Sequence, residues 1–269
     1  LAKYNILIAG QIGTGKTYSV RTLVEAGVET FVLATEPGAE RILGDIPCEK
    51  GLHLAYVPPA TIDWETMIRN AQVINMSSME SLQKMIWPNR SDYNQWLLVL
   101  GMLANFKCNR CGNEFGAVDS WDEKRAIVLD GLSNLSKMSR HLTVGAKPIM
   151  TLPEWGVAQE SIRWLVDKLC NDTKCNFVLF AHLEREKDEL TGGTSRKVST
   201  LGNKLAPDLV KPFDEVIMSK HENNKFVWST AEGDAELKTR CLGWRSDIAP
   251  TFTQFPMIGK EGEVAKESA

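Results

Sequence analysis

The chain has 269 residues, 43% hydrophobic and 24% charged, with a formal net charge of −3. That is ordinary for a globular protein of one large α/β domain with insertions, and it excludes any global attraction to nucleic acid, so such a contact has to be local. No apolar run approaches the roughly 20 residues that span a bilayer, no signal-peptide pattern opens the chain, and the six cysteines suit reduced thiols, so a cytoplasmic setting without membrane is expected.

Tyr4 to Ala9 is an apolar run that predicts a buried strand. It leads into Gly10-Gln11-Ile12-Gly13-Thr14-Gly15-Lys16-Thr17, which fits G-x-x-x-x-G-K-[ST] at every fixed position. A helical pattern from Thr17, through Tyr18, to Ala26 follows and stops at Gly27. Strand, glycine loop and helix are the setting in which such a loop wraps a polyphosphate, its N–H groups aimed at the phosphate oxygens. The motif therefore implies binding of a nucleoside triphosphate by residues 10–18. Lys16 is expected to reach the β- and γ-phosphates and the Thr17 hydroxyl to ligate Mg²⁺.

Thr30 to Thr35 is a second short strand ending in the turn signal Glu36-Pro37-Gly38, and Leu52 to Val57 a third, closed by Pro58-Pro59. Asp63 to Leu103 is mostly helical in pattern, broken near Trp87-Pro88-Asn89. Its Trp64, Trp87, Tyr93 and Trp96 are expected in a core rather than on a base-stacking platform. Residues 58–125 thus form a helical, cysteine-containing insertion. Within it, Cys108-x-x-Cys111-Gly is half of a zinc ribbon, which makes Cys108 and Cys111 candidate ligands of a structural Zn²⁺. The other half is absent as a pattern. Cys48 and His53 contribute only if folding brings them near, and catalytic zinc is not needed where nucleotide motifs already supply the chemistry.

Ala126-Ile127-Val128-Leu129-Asp130 is a strand ending in aspartate, the Walker B pattern, and Asp130 is expected to hold the Mg²⁺ directly or through a water. Thr143 to Gly156 reads as a loop with two prolines, Val157 to Cys170 as an amphipathic helix, and Asn176 to Ala181 as a strand followed by His182. Glu184 to Lys204 is polar and charged and reads as a long mobile loop. Asp214 to His221 and Lys225 to Thr230, flanking Glu222-Asn223-Asn224, predict a β-hairpin. One domain over 1–258 and a disordered tail over 259–269 complete the reading.

Alternating strands and helices imply a mostly parallel central sheet covered by helices on both faces. The order of motifs fits the class of P-loop NTPases with an additional strand between the Walker A and Walker B strands. Hydrolysis there needs a carboxylate beside the γ-phosphate. Many members place it directly after the Walker B aspartate, but that position is Gly131, so the candidate is Glu36 at the tip of the strand expected beside Walker B.

Phe31-Val32-Leu33-Ala34-Thr35-Glu36 resembles the strand that carries the catalytic glutamate in the RecA family, and the chain as a whole resembles a RecA-like (ASCE) ATPase over roughly residues 4–255. The resemblance implies that His182, where that family commonly has glutamine, senses the γ-phosphate. It also implies that the 184–204 loop contacts DNA through Arg185, Lys187, Arg196 and Lys197. With G-x-x-G-x-G-K-T-x-S-V, a Glu-Pro-Gly strand end and a late His-Leu-Glu, the chain is most similar to small phage-type RecA-like ATPases of single-strand annealing and recombination. Such proteins assemble head to tail in rings or filaments with cations supplied in trans, for which Lys220, Lys225, Lys238 and Arg240 are candidates. The competing readings are an ATP-dependent switch or loader that acts through protein partners without touching DNA, and a nucleotide-binding structural protein without turnover.

Overall fold

The computed structural model describes residues 3–86, 90–187, 193–202 and 205–255. Seven strands form the central sheet in the order β3-β2-β4-β5-β1-β8-β9. These are β1 (Asn5–Gly10), β2 (Glu29–Ala34), β3 (Leu52–Tyr56), β4 (Arg125–Asp130), β5 (Asn176–Ala181), β8 (Glu215–Glu222) and β9 (Lys225–Ser229). All neighbours run parallel except β9, which returns antiparallel to β8. β5 lies between β1 and β4, the additional strand expected from the motif order, and β2 lies beside β4. The hairpin turns at Asn223 and Asn224, with φ of 50° and 59°, the left-handed pair that a two-residue type I′ turn requires.

The central strands are buried on both faces, as parallel strands covered by helices must be. Alternate residues divide the core in two. Leu7, Phe31, Leu33, Ile127, Leu129, Phe177 and Leu179 face α6 (Gln95–Ala104), α7 (Leu132–Val144) and α8 (Leu152–Asp167). Ile6, Ile8, Val32, Val128, Val178 and Phe180 face α1 (Lys16–Ser19), α2 (Arg21–Glu25), α3 (Ala39–Leu43) and the late Phe252 and Phe255. The segment between β3 and β4 carries α4 (Trp64–Met76), α5 (Met79–Lys84) and α6. Trp96, Val99 and Phe106 join the first core cluster, so this segment packs onto the sheet. Tyr93 and Trp96 are buried as expected, but Trp64 is 79% exposed on α4, a helix with no buried residue. Trp87, Pro88, Asn89 and the 259–269 tail lie outside the described residues.

One element was not anticipated, and two other expectations need correction. A helix, α7, follows β4, where apolar Leu132, Leu135 and Met138 recur at helical spacing and are buried. α8 starts at Leu152 rather than Val157, because Pro153 sits in its first turn and Glu154 Oε2 accepts the Thr151 N–H at 2.7 Å. Finally, the stretch read as a mobile loop contains an antiparallel ribbon, β6 (Leu183–Lys187) with β7 (Thr194–Val198). Its backbone ladder carries mostly polar and charged side chains, Lys197 paired with Glu186 among them, so no hydrophobic period announced it. α9 (Ala206–Val210) then leads into β8.

Candidate active site

The C-terminal ends of β1, β2, β4 and β5 meet at one edge of the sheet, where ligands bind in open α/β folds. The glycine loop leaves β1 there and turns into α1. Lys16 Nζ donates to the carbonyls of Gly10 at 2.8 Å and Gln11 at 2.9 Å, and Thr14 Oγ1 donates to Gln11 O at 2.9 Å. Ser219 on β8 braces the loop from the side by donating to Thr14 O at 2.8 Å. Burial pushes the Lys16 ammonium below its usual pKa, opposed by the carboxylates of Asp130 and Glu36.

Asp130 ends β4 almost wholly buried, and Thr17 Oγ1 donates to its Oδ2 at 2.8 Å. Burial pushes the Asp130 carboxyl up to about 6, against the Thr17 hydrogen bond. A threonine hydroxyl and a carboxylate brought together are hard oxygen donors, the set that Mg²⁺ takes alongside a nucleotide's phosphates, so the residues fit that ion.

Glu36 reaches the same edge through β2. Ala34 is in register with Asp130, and Thr35 N–H donates to Asp130 O at 3.0 Å. Thr35 Oγ1 lies 3.0 Å from Asp130 O and 3.1 Å from Gly131 O, and Asn134 on α7 donates to Thr35 O at 2.8 Å. Four hydrogen-bond contacts of Thr35, with Asp130, Gly131 and Asn134, thus fix the strand end from which Glu36 projects. Gly131 has φ +118°, and a Cβ there would sit 2.6 Å from Thr35 Oγ1 and 2.8 Å from Glu36 Cγ. Glu36 therefore occupies the room that a side chain after the Walker B aspartate would need. His182, just past β5, places Nε2 3.4 Å from Glu36 Oε1.

These groups line a cleft of about 730 Å³ with Ile12, Tyr18, Ile42 and Phe226 as apolar walls. Ser133, Asn134 and Lys137 of α7 line it too. None of the three was anticipated, since their helix was not; the Leu132, Leu135, Met138 spacing was the available signal. Phe226 comes from β9, beside Gly15, a neighbourhood set by sheet order that no local pattern carries.

The remaining expected residues lie outside this cleft's wall. Arg185 is exposed on β6, opposite Arg196 on β7. Arg196 is paired with Glu232 at 3.3 Å and with Asp234, and Lys197 with Glu186. The Lys187 side chain is outside the described residues. Lys220 is held by Glu232 at 2.8 Å and Glu222 at 3.2 Å, while Lys225 is exposed at the hairpin tip. Lys238 donates to the carbonyls of Lys211 at 2.8 Å and Phe213 at 2.6 Å, and Arg240 pairs with Asp214 at 2.7 Å. These last two sit by the start of β8, the sheet end away from the cleft.

Fold and glycine loop together define a P-loop NTPase core of RecA-like topology, with a mostly parallel sheet and a C-terminal hairpin. A family model described as an AAA domain matches residues 2–240, and the chain belongs to that family. No curated protein matches it. Family and fold support ATP binding and hydrolysis with Mg²⁺. No helix among the described residues is long and apolar enough to cross a membrane.

Proposed function

We propose that the protein hydrolyses ATP to ADP and phosphate with Glu36 orienting the attacking water, and that single-stranded DNA stimulates turnover in phage-type annealing or recombination. The observation that carries the catalytic part is the fit between Gly131 and Glu36, because it puts a carboxylate beside the Walker B aspartate without one in the next position. Lys16 and the loop N–H groups of residues 10–18 bind the phosphates, and Lys16 offsets charge that develops on them. Thr17 and Asp130 hold the magnesium, which supplies electrostatic stabilisation of the transferring phosphoryl group. His182 keeps Glu36 in place and registers the γ-phosphate through the same contact.

The β6–β7 ribbon begins at the residue after His182, so a ligand on Arg185, Arg196 or Lys197 acts on the strand pair that leaves the catalytic edge. That proximity supports DNA as the activator. Head-to-tail assembly of copies completes the reading, with an exposed cation such as Lys225 facing a neighbour's nucleotide and Lys220, Lys238 and Arg240 first leaving their in-chain partners. The second reading, a partner-driven switch without DNA contact, gains from the acids that already pair Arg196 and Lys197.

Steady-state ATP hydrolysis with and without single-stranded DNA, at low and moderate salt, tests this. Stimulation by DNA that fades with salt and vanishes in Lys16→Ala is expected. Turnover indifferent to DNA selects the partner-driven switch, and no turnover at all leaves a nucleotide-binding structural protein.

A further inference from the structure

At the other end of the sheet, four soft or borderline ligand atoms meet that the sequence holds far apart. The thiols of Cys48, Cys108 and Cys111 and an imidazole nitrogen of His53 all lie within 4.8 Å of one another. We propose that Cys48, His53, Cys108 and Cys111 bind one structural zinc ion in a closed tetrahedral site.

The distances suit a metal better than a disulfide or a packed thiol cluster. Cys48 Sγ and Cys108 Sγ are 3.8 Å apart, and Cys111 Sγ and His53 Nδ1 are also 3.8 Å apart. Zinc–sulfur bonds of about 2.3 Å in a tetrahedron put two ligand sulfurs about 3.8 Å from each other. Residues 106–116 fold as a small hairpin knuckle, with Phe115 N–H donating to Phe106 O at 2.8 Å and Lys107 bridging Glu114. Gly112, at φ +76°, lets the chain turn back so that its N–H reaches Cys108 O at 3.0 Å. The Arg110 N–H points at Cys108 Sγ from 3.4 Å, a contact that suits a thiolate. The second pair of ligands comes from a single helical turn, Cys48–Lys50, and from the second residue of β3. C-x-x-C and C-x₄-H therefore supply two ligands each.

The surroundings of His53 make the same point independently. Its Nε2 lies 3.5 Å from Glu29 Oε1, which leaves Nδ1 facing the sulfurs. A carboxylate that fixes the far nitrogen of a ligand histidine is the usual support of such a site. Glu29 is itself held by Arg125 Nε at 2.7 Å, and the ring is clamped between Phe31 and Phe115 at 4.9 and 4.2 Å. Three thiolates and a neutral imidazole leave one net negative charge around Zn²⁺. Arg110, within the knuckle, offers a guanidinium whose buried Nη1 has no hydrogen-bond partner among the described residues.

Four protein ligands leave no open position, and His53 and Glu29 sit at the starts of β3 and β2, whereas Glu36 and Asp130 follow or end theirs. The ion thus acts on the fold, not on the phosphates. The knuckle also covers the outer edge of β3: Asn109 N–H donates to Leu54 O at 2.8 Å, and Asn109 Oδ1 accepts Tyr56 N–H at 2.7 Å. Zinc pins that cover to a strand that would otherwise offer an open edge.

The test is metal analysis of the full chain purified and reconstituted with zinc under reducing conditions, repeated with Co²⁺ as a spectroscopic probe. One zinc per chain is expected, with cobalt showing tetrahedral ligand-field and thiolate charge-transfer bands. Cys108→Ser and Cys111→Ser should lose most of the metal, and Cys241→Ser should keep it. His53→Ala should weaken binding and shift the cobalt bands. Wild-type protein that holds neither metal overturns the proposal without reliance on any variant, as does undiminished zinc in Cys108→Ser. ATP hydrolysis is not the readout, so failure here leaves the nucleotide site untouched.

Discussion

A single hydrogen at position 131 leaves the room that Glu36 fills. Gly131 takes a φ of +118°, where an L side chain is strained, and any Cβ would press on Thr35 and Glu36. Gly131→Ala should therefore push Glu36 off its position while leaving the phosphate loop on β1 alone. A kcat reduced at least about tenfold, with nucleotide affinity changed only a few-fold, is expected from a displacement of this size. Steady-state kinetics beside titration with a fluorescent nucleotide checks it, and an unchanged kcat would contradict the link. The sequence makes part of this legible: the absence of a carboxylate after Asp130 sends the search to Glu36. It does not make legible that Gly131 and Glu36 share one space, because backbone φ and a contact across 95 residues are not written in local pattern. His182 shows the same divide, since its place at the end of β5 is readable and its contact with Glu36 is not.

At the scale of elements, α8 carries an ion pair that makes stability depend on pH. Lys147 is buried, and Glu154 accepts it at 2.7 and 2.9 Å while also accepting the Thr151 N–H at the helix start. Partial burial would raise the Glu154 pKa, but the hydrogen bonds from Lys147 and Thr151 win and hold it below 4.5. A carboxyl depressed by folding adds stability above its unfolded pKa and loses it as pH falls through the folded value. Glu154→Gln should thus cost about 1–2 kcal/mol at neutral pH. The gap to the wild type should close as pH drops below 4.5, which denaturant melts at pH 7 and pH 3.5 would measure. A constant gap at both pH values would mean that the charge contributes nothing. The start of α8 was misread because Pro148 and Pro153 look like loop residues, although a proline in a first turn followed by glutamate is a start signal. The β6–β7 ribbon escaped for a different reason, since polar and charged residues fill positions where apolar alternation usually marks a strand.

On the scale of the molecule, the sheet separates two kinds of site. Its C-terminal edge gathers the phosphate loop, Asp130, Glu36 and His182, and the opposite end gathers the four proposed zinc ligands. Two parts of the strand order were readable, the extra strand between β1 and β4 and the place of β2 beside β4, because the motifs sit at strand ends and the glycine loop names the class. The zinc cluster was only half readable: Cys108 and Cys111 share a local spacing, whereas Cys48 and His53 join them through tertiary folding alone. In the proposed mechanism everything catalytic depends on Glu36 serving the water while Lys16, Thr17 and Asp130 serve the nucleotide. The most direct measurement is Glu36→Gln, assayed for Mg²⁺-dependent ATP binding and for turnover on the same preparation. Binding close to wild type with turnover down by about 10²–10⁴-fold is the predicted result. Turnover at the wild-type rate would contradict it and remove Glu36 from the reaction.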